Sequence, residues 1–327
     1  MEASYYTKLD NSRVRCELCP NRCSIPAGGS GICRIRVNRD GTLVAEGYGE
    51  VVSLAMDPIE KKPLYHFHPG RRILSSGANG CNLSCAFCQN HQISQSTVPT
   101  HRVDPVTLAE TALQEDSIGV AYTYTEPFVW WEYIRDAGLA VRERGMVNVL
   151  ITNGYVNEQP LRDILPLVDA MNIDVKSMND EFYRKHCGGR LADVLRTVEI
   201  AQEFCHVEIT NLVITGYNDS DDDFHRLTDW LAGVNSKIPL HFSRYFPRYL
   251  FTAPQTPVER LRRAYDIARQ KLDYVYVGNI DIPGSSDTFC PRCGARLVAR
   301  HYYSFALEGI ENGSCASCGA TVDMVSV

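Results

Sequence analysis

Three cysteines within eight residues, Cys81-x3-Cys85-x2-Cys88, follow the apolar segment Arg71-Arg72-Ile73-Leu74-Ser75-Ser76-Gly77, which glycine closes. The apolar run reads as a first β-strand, which puts the cysteines in the loop leaving its C-terminal end. That is where α/β barrels gather their chemistry. Thiolates suit both iron–sulfur clusters and zinc, and four-cysteine ligation is the norm for each. Three thiolates without a fourth nearby can hold three irons of a 4Fe–4S cube and leave one iron open to an outside ligand. A zinc site or a structural cysteine cluster is the plainer reading of the same spacing.

From about residue 71 to 280 strand and helix signals alternate, as parallel βα units do. Strands are expected at Ile73–Ser76, Ile118–Thr123, Val147–Thr152, Ala170–Val175, His206–Val213, Pro239–Tyr245 and Tyr274–Val277. Asp104 followed by Pro105 reads as an N-cap, and Thr256-Pro257-Val258-Glu259 as a capping box. Ser220 before three aspartates opens another helix with acid at the favourable end of its dipole. Gly145 closes the helix that begins near Pro127. Six or seven such units are too few for a closed eight-fold barrel, so the expected fold is α/β, an open partial barrel. The expected division is an N-terminal tetracysteine module over 1–70, the barrel over 71–280 and a zinc-ribbon-like lobe over 281–327.

The 327 residues are 44% hydrophobic, enough for one large core. Net charge is −6 with acids and bases well mixed, so no basic stripe argues for nucleic acid. The N-terminus lacks an apolar leader-like stretch and there is no run of about 18 apolar residues, so a cytoplasmic protein without a membrane span is expected. Thirteen cysteines in that setting point to metal rather than disulfides. Cys16-x2-Cys19-x3-Cys23-x9-Cys33 is a four-cysteine site for zinc or an auxiliary 4Fe–4S cluster. Cys290-x2-Cys293 and Cys315-x2-Cys318 form two knuckles of a ribbon that holds zinc or rubredoxin-type iron. Cys187 and Cys205 stand alone and read as small buried residues.

With the aromatic Phe87 before its last cysteine, the first loop resembles the signature of the radical S-adenosylmethionine (SAM) superfamily. Among its branches the chain is most similar to pyruvate formate-lyase activating enzymes, and within that group it resembles the radical SAM member of the AmmeMemoRadiSam system. The resemblance implies a partial (β/α)6-type radical SAM barrel with a 4Fe–4S cluster at Cys81, Cys85 and Cys88, whose open iron is chelated by SAM. It implies reductive cleavage of SAM to a 5′-deoxyadenosyl radical that takes hydrogen from a protein glycine or a small molecule. Ferredoxin or flavodoxin is the implied reductant, and AMMECR1-like and Memo-like proteins are implied partners. The rival from another class is a cysteine-rich zinc-binding module without redox catalysis.

Further residues follow from the resemblance. Tyr124-Thr125-Glu126-Pro127 stands where the family has a Gly-Gly-Glu-Pro-like motif, which makes Tyr124, Thr125 and Glu126 cofactor-binding candidates. Ile151-Thr152-Asn153-Gly154 resembles the Asp-Thr-Asn-Gly of glycyl-radical activases, adding Thr152 and Asn153. Ile151 replaces the acid that helps bind a monovalent cation there. Asn172-Ile173-Asp174-Val175-Lys176 resembles their Asp-Leu-Lys, and Asp174 and Lys176 alternate to one side of the strand end. Lys176 is assigned to SAM or to the substrate backbone. His241, with Arg244 and Tyr245 behind it, is the substrate-side candidate, expected on the same rim as Cys81, Glu126, Thr152 and Asp174. Glu208 and Asn211 are further pocket candidates.

Overall fold

All seven strands expected between residues 71 and 280 form, and a helix separates each from the next. The computed structural model describes residues 1–302 and 304–325. The strands are β2 (Arg72–Gly77), β3 (Gly119–Tyr122), β4 (Val147–Thr152), β5 (Ala170–Asp174), β6 (His206–Val213), β7 (Leu240–Arg244) and β8 (Val275–Gly278), preceded by β1 (Ser53–Pro58). The principal helices between them are α1 (Pro105–Gln114), α2 (Trp131–Glu143), α3 (Glu158–Ile164), α4 (Leu191–Ala201), α5 (Asp221–Asn235) and α6 (Val258–Ala268). Strand order in the sheet follows chain order from β1 to β8. Strands β2 to β8 are parallel, and β1 lies antiparallel on β2. The C-terminal ends of β2 to β8 therefore share one rim, and their N-terminal ends share one floor.

Local chemistry sets most helix starts. The Asp104 side chain accepts from the N–H groups of Val106 and Thr107, and Pro105 fills the first position, where no N–H is needed. Ser220 and Asp223 form a reciprocal capping box at α5. The box expected at Thr256 and Glu259 does not form. Pro257 is the N-cap of α6, and the Thr256 hydroxyl donates to the Val213 carbonyl and accepts from the Tyr245 N–H (2.9 Å). A tertiary partner has captured that hydroxyl. Gly145, at φ +71°, ends the α2 region in the left-handed conformation glycine tolerates.

The period-two alternation of the strands separates two faces. Leu74, Val120, Tyr122, Leu150, Met171 and Ile173 pack with the helices in the main core. Ile73, Ala121, Val149 and Ala170 face the other side, where Ile59, Leu64 and Phe67 cover them. Burying each of those covering side chains contributes about 1.5–3 kcal/mol. The N-terminal module shares the main core through Val14, Leu18, Ile25 and Leu43, and a buried Arg36–Glu132 ion pair (3.1 Å) ties it to α2. Strand β1 lies within residues 1–70 yet belongs to the large sheet. The C-terminal lobe carries an antiparallel sheet of Thr288–Phe289, Arg296–His301 and Ser304–Leu307. Its chain then returns to the floor, where the Val325 N–H donates to the His66 carbonyl (2.8 Å). Among the described residues no helix is long and apolar enough to cross a membrane.

Candidate active site

Strand β2 ends at Gly77, and the cysteine loop leaves it across the rim. Cys81, Cys85 and Cys88 wall a cavity of 240 Å³ together with Phe87, Tyr124, Thr125, Asn153, Asp174 and Lys176. Neighbouring elements clasp the loop. Thr125 donates to the Ala78 carbonyl (2.8 Å), Asn90 to the Tyr124 carbonyl (2.8 Å) and the Ser84 N–H to the Cys187 carbonyl (2.8 Å). Donors also point at sulfur. The Leu83 N–H lies 3.4 Å and the Asn153 amide 3.5 Å from Cys81 Sγ, and Ser94 Oγ lies 3.2 Å from Cys88 Sγ. Hydrogen bonds to sulfur are one means by which proteins tune clusters.

Ionising these thiols without a metal is costly. Burial, reinforced by Glu126 and Cys85, pushes the Cys81 thiol well up, and burial also raises Cys88. Cys85 moves the other way: a hydrogen bond from Cys187 lowers it against burial, and Lys176 adds to the effect. A bound metal offsets such costs, because its ligands must be deprotonated.

Asp174 and Lys176 meet at the end of β5, with Nζ to Oδ2 at 2.9 Å. Burial opposes the ammonium, but Asp174 and the two cysteines Cys85 and Cys187 hold Lys176 well above its ordinary value. It is thus a fixed positive charge on the cavity wall, suited to a carboxylate or a peptide carbonyl.

Tyr124 occupies a glycine-like conformation, with φ +76°. Its ring lies against Gly77, where an added Cβ would come within 3.0 Å of the ring. Its hydroxyl donates to Asp57 (2.9 Å), and Lys62 Nζ sits 4.8 Å above the ring. The side chain therefore anchors a backbone turn that the related motif forms with glycine.

Glu126 and Thr152 lie one layer behind the cavity wall. Glu126 Oε1 accepts from the Thr152 hydroxyl (2.7 Å) and the Phe128 N–H (3.0 Å), and Oε2 accepts from the Asn153 N–H (2.8 Å). Burial pushes its pKa up to about 7 against those hydrogen bonds. Asn153, the residue it holds, is the one that reaches Cys81.

His241 is the second residue of β7, in register with Thr210 of β6 and through it with Asp174, but its ring turns to Glu208, with Nε2 2.6 Å from the carboxylate. His241 lines a neighbouring cavity of 340 Å³ with Lys61 and Tyr65, and that cavity shares Ser243 and Asn279 with the cysteine cavity. Glu208 is buried against three histidines, and Asn211 donates to the Val175 carbonyl (2.8 Å). Asn90, Ser94, Ser243 and Asn279 line the cysteine cavity and were not anticipated. Asn90 and Ser94 follow the third cysteine closely and could have been suspected. Nothing in the sequence pairs Cys187 with Cys85.

The outer cysteines form two further sites. Cys290 to Cys318 and Cys293 to Cys315 are each 3.7 Å apart between sulfurs, and all four sulfurs lie within 4.8 Å of one another. Cys16, Cys19, Cys23 and Cys33 line one small cavity beneath the Cys81 loop.

A three-cysteine loop on the rim of a parallel sheet, beside a fixed cation, defines a class that comparison with other proteins makes explicit. The model of the radical SAM superfamily matches residues 75–231. An uncharacterized protein of Methanocaldococcus jannaschii is 44% identical over 99% of both chains. The pyruvate formate-lyase 1-activating enzyme of Escherichia coli K12 is 28% identical, covering 51% of this chain and 71% of its own. Streptococcus suis SuiB bound to its precursor peptide SuiA shares the fold with a TM-score of 0.50 at 14% identity, over 68% of this chain and 51% of its own. The chain belongs to the radical SAM superfamily, and it is an enzyme of that type with homology to pyruvate formate-lyase activating enzymes. This sets aside the rival of a zinc module without catalysis. The family implies a 4Fe–4S cluster and SAM, and three thiols with sulfur-directed donors around one cavity fit that pair.

Proposed function

We propose that this chain generates a 5′-deoxyadenosyl radical in the cavity of Cys81, Cys85 and Cys88 and uses it on a protein substrate, as a glycyl-radical activase does. The observation that carries the proposal is the convergence of those three thiols with Asn153, Asp174 and Lys176 on one cavity. When bound, the cluster and SAM supply one-electron reductive cleavage of the sulfonium and hydrogen abstraction from the substrate. Lys176 holds a carboxylate of the cofactor, and Tyr124 and Thr125 close the wall beside it. Glu126 and Thr152 act through Asn153, fixing the amide that meets Cys81. Phe87, packed against Phe182 and Phe251, excludes water from the wall. The sheet serves as the open wall of a (β/α)6 partial barrel, and a substrate reaches His241 through the adjoining cavity.

Relatives named as activating enzymes for pyruvate formate-lyase, 4-hydroxyphenylacetate decarboxylase and isethionate sulfite-lyase favour a protein target over a small molecule. The reading includes cytoplasmic ferredoxin or flavodoxin as electron donor, and AMMECR1-like and Memo-like proteins of an AmmeMemoRadiSam system as partners. The ribbon quartet takes zinc. A zinc ion with bonds of about 2.3 Å needs sulfurs about 3.8 Å apart, and the 3.7 Å pairs match.

The test is 5′-deoxyadenosine formation from SAM in dithionite by anaerobically reconstituted protein. Wild type is expected to form it, and C81A/C85A/C88A to lose it while keeping the ribbon metal. Continued formation by the triple variant would sink the assignment.

A further inference from the structure

We propose that Cys16, Cys19, Cys23 and Cys33 hold a second redox-active iron–sulfur cluster, a 4Fe–4S cube with every iron ligated by the protein. Four thiols wall one cavity, and the Ile32 N–H donates to Cys23 Sγ (3.5 Å). That is a site built for thiolates.

The molecule carries two standards for what such a site holds. In the ribbon, all four sulfurs lie within 4.8 Å of one another, as a single tetrahedral ion requires. Among the described residues no other cysteine group meets that limit, and neither the Cys81 loop nor the N-terminal quartet does. Thiolates on separate irons of one cube must stand farther apart than thiolates on one ion. A Cβ on Gly31 would be 3.7 Å from Cys23 Sγ and 3.7 Å from Cys33 Sγ, so that position touches both thiols. On the limit the ribbon meets, the N-terminal quartet falls with the Cys81 loop and not with the ribbon.

The site also abuts the first. A Cβ on Gly80 would fall 2.4 Å from the Cys33 carbonyl, so the module presses on the residue before Cys81. Asn21 donates to the Asn82 carbonyl (2.7 Å), and the Asn82 side chain accepts from Asn153 (3.0 Å), the residue that reaches Cys81. One electron from an external low-potential one-electron donor would take this cluster from the 2+ to the 1+ state, beside its partner. The ligand set does not depend on the proposed function; only the pairing of two redox centres does.

Metal and sulfide analysis of full-length, anaerobically reconstituted protein tests the proposal, with a reductive titration. Wild type is expected to hold about eight iron and eight sulfide per chain with about one zinc, and to take up about two electrons. C81A/C85A/C88A should stay brown, keep about four iron and take up about one electron. C19A/C33A should lose about half the iron and keep its zinc. About four iron with two zinc in wild type, or an iron-free triple variant, would overturn the proposal. If C19A/C33A fails to fold, the triple variant alone decides. An empty Cys81 loop would give about four iron in both wild type and triple variant, with no 5′-deoxyadenosine. That result sinks the proposed function and leaves the N-terminal cluster standing.

Discussion

The two ends of the same parallel sheet carry buried polar side chains and use them in opposite ways. On the rim, Asn153 and Ser94 aim at sulfur, and Asp174 and Lys176 face a cavity with part of their surface open. On the floor the groups saturate one another. Glu208 accepts from the His66 N–H (2.7 Å) and pairs with His206 (3.0 Å) and His241 (2.6 Å), and His66 Nε2 meets the Tyr276 hydroxyl (2.6 Å). A buried histidine beside a carboxylate looks catalytic in either place. The rim groups keep bonding capacity facing the cysteine cavity, so spare capacity toward that cavity, not burial or polarity, marks the site.

The largest effect should come from breaking the floor. Glu208→Ala leaves three histidines without their shared acceptor, and removing one partner of such a buried pair costs about 3–5 kcal/mol. Urea unfolding should show that loss, while 5′-deoxyadenosine formation per folded molecule stays near wild type. Normal stability with lost cleavage would move Glu208 into the site and erase the contrast.

Acid should reveal opposite signs at the two ends of the metal-free protein. Burial lowers His66 to about 4, so its contribution is full above about 6.5 and is lost as pH falls through 4. Glu208 is held well below its ordinary value, despite burial, by His206 and His241, and its contribution is lost at still lower pH. On the rim, burial raises Glu126 to about 7, so the folded state keeps a proton that the unfolded state has released. Stability from that group rises as pH falls from 7 toward 4.5. Each of the His66 and Glu126 contributions amounts to about 3 kcal/mol, and in wild type they oppose each other. Denaturation midpoints should then fall steeply with acid in Glu126→Gln and rise in His66→Asn. Parallel curves for the two variants would dissolve the distinction.

The same contrast marks what could be read from the chain. The strands were legible because hydrophobic runs bounded by Gly, Pro and Asp specify them locally, and Val147–Thr152 and His206–Val213 formed to the residue. The Ser220 cap was legible because its partner, Asp223, is three residues away. Thr256 misled because its hydroxyl bonds to Val213 and Tyr245, which only the fold brings near. His241 is level with Thr210 and through it with Asp174, but its ring bonds to Glu208, a partner that only the fold brings near. The thiol pairing of Cys85 with Cys187 is likewise a product of tertiary contact.

The smallest effect concerns Tyr124, and it asks whether the rim is shaped by side chain or by backbone. Left-handed backbone costs a non-glycine residue about 1–2 kcal/mol, so Tyr124→Gly relieves that strain. The same change removes the hydroxyl bond to the Asp57 carboxylate, worth about 1.5–3 kcal/mol net, and the ring over Gly77. Asp57 keeps Lys61 and Lys62 as partners, so no buried charge is stranded. The relief offsets part of the loss, and thermal unfolding should place Tyr124→Gly about 1 kcal/mol below wild type. Tyr124→Val should fare worse, because a β-branched residue is a poor occupant of positive φ. If Tyr124→Gly instead loses several kcal/mol while Tyr124→Val is tolerated, the ring is the organiser. Rim and floor would then both be held by side-chain bonding, and only the cavity would set them apart.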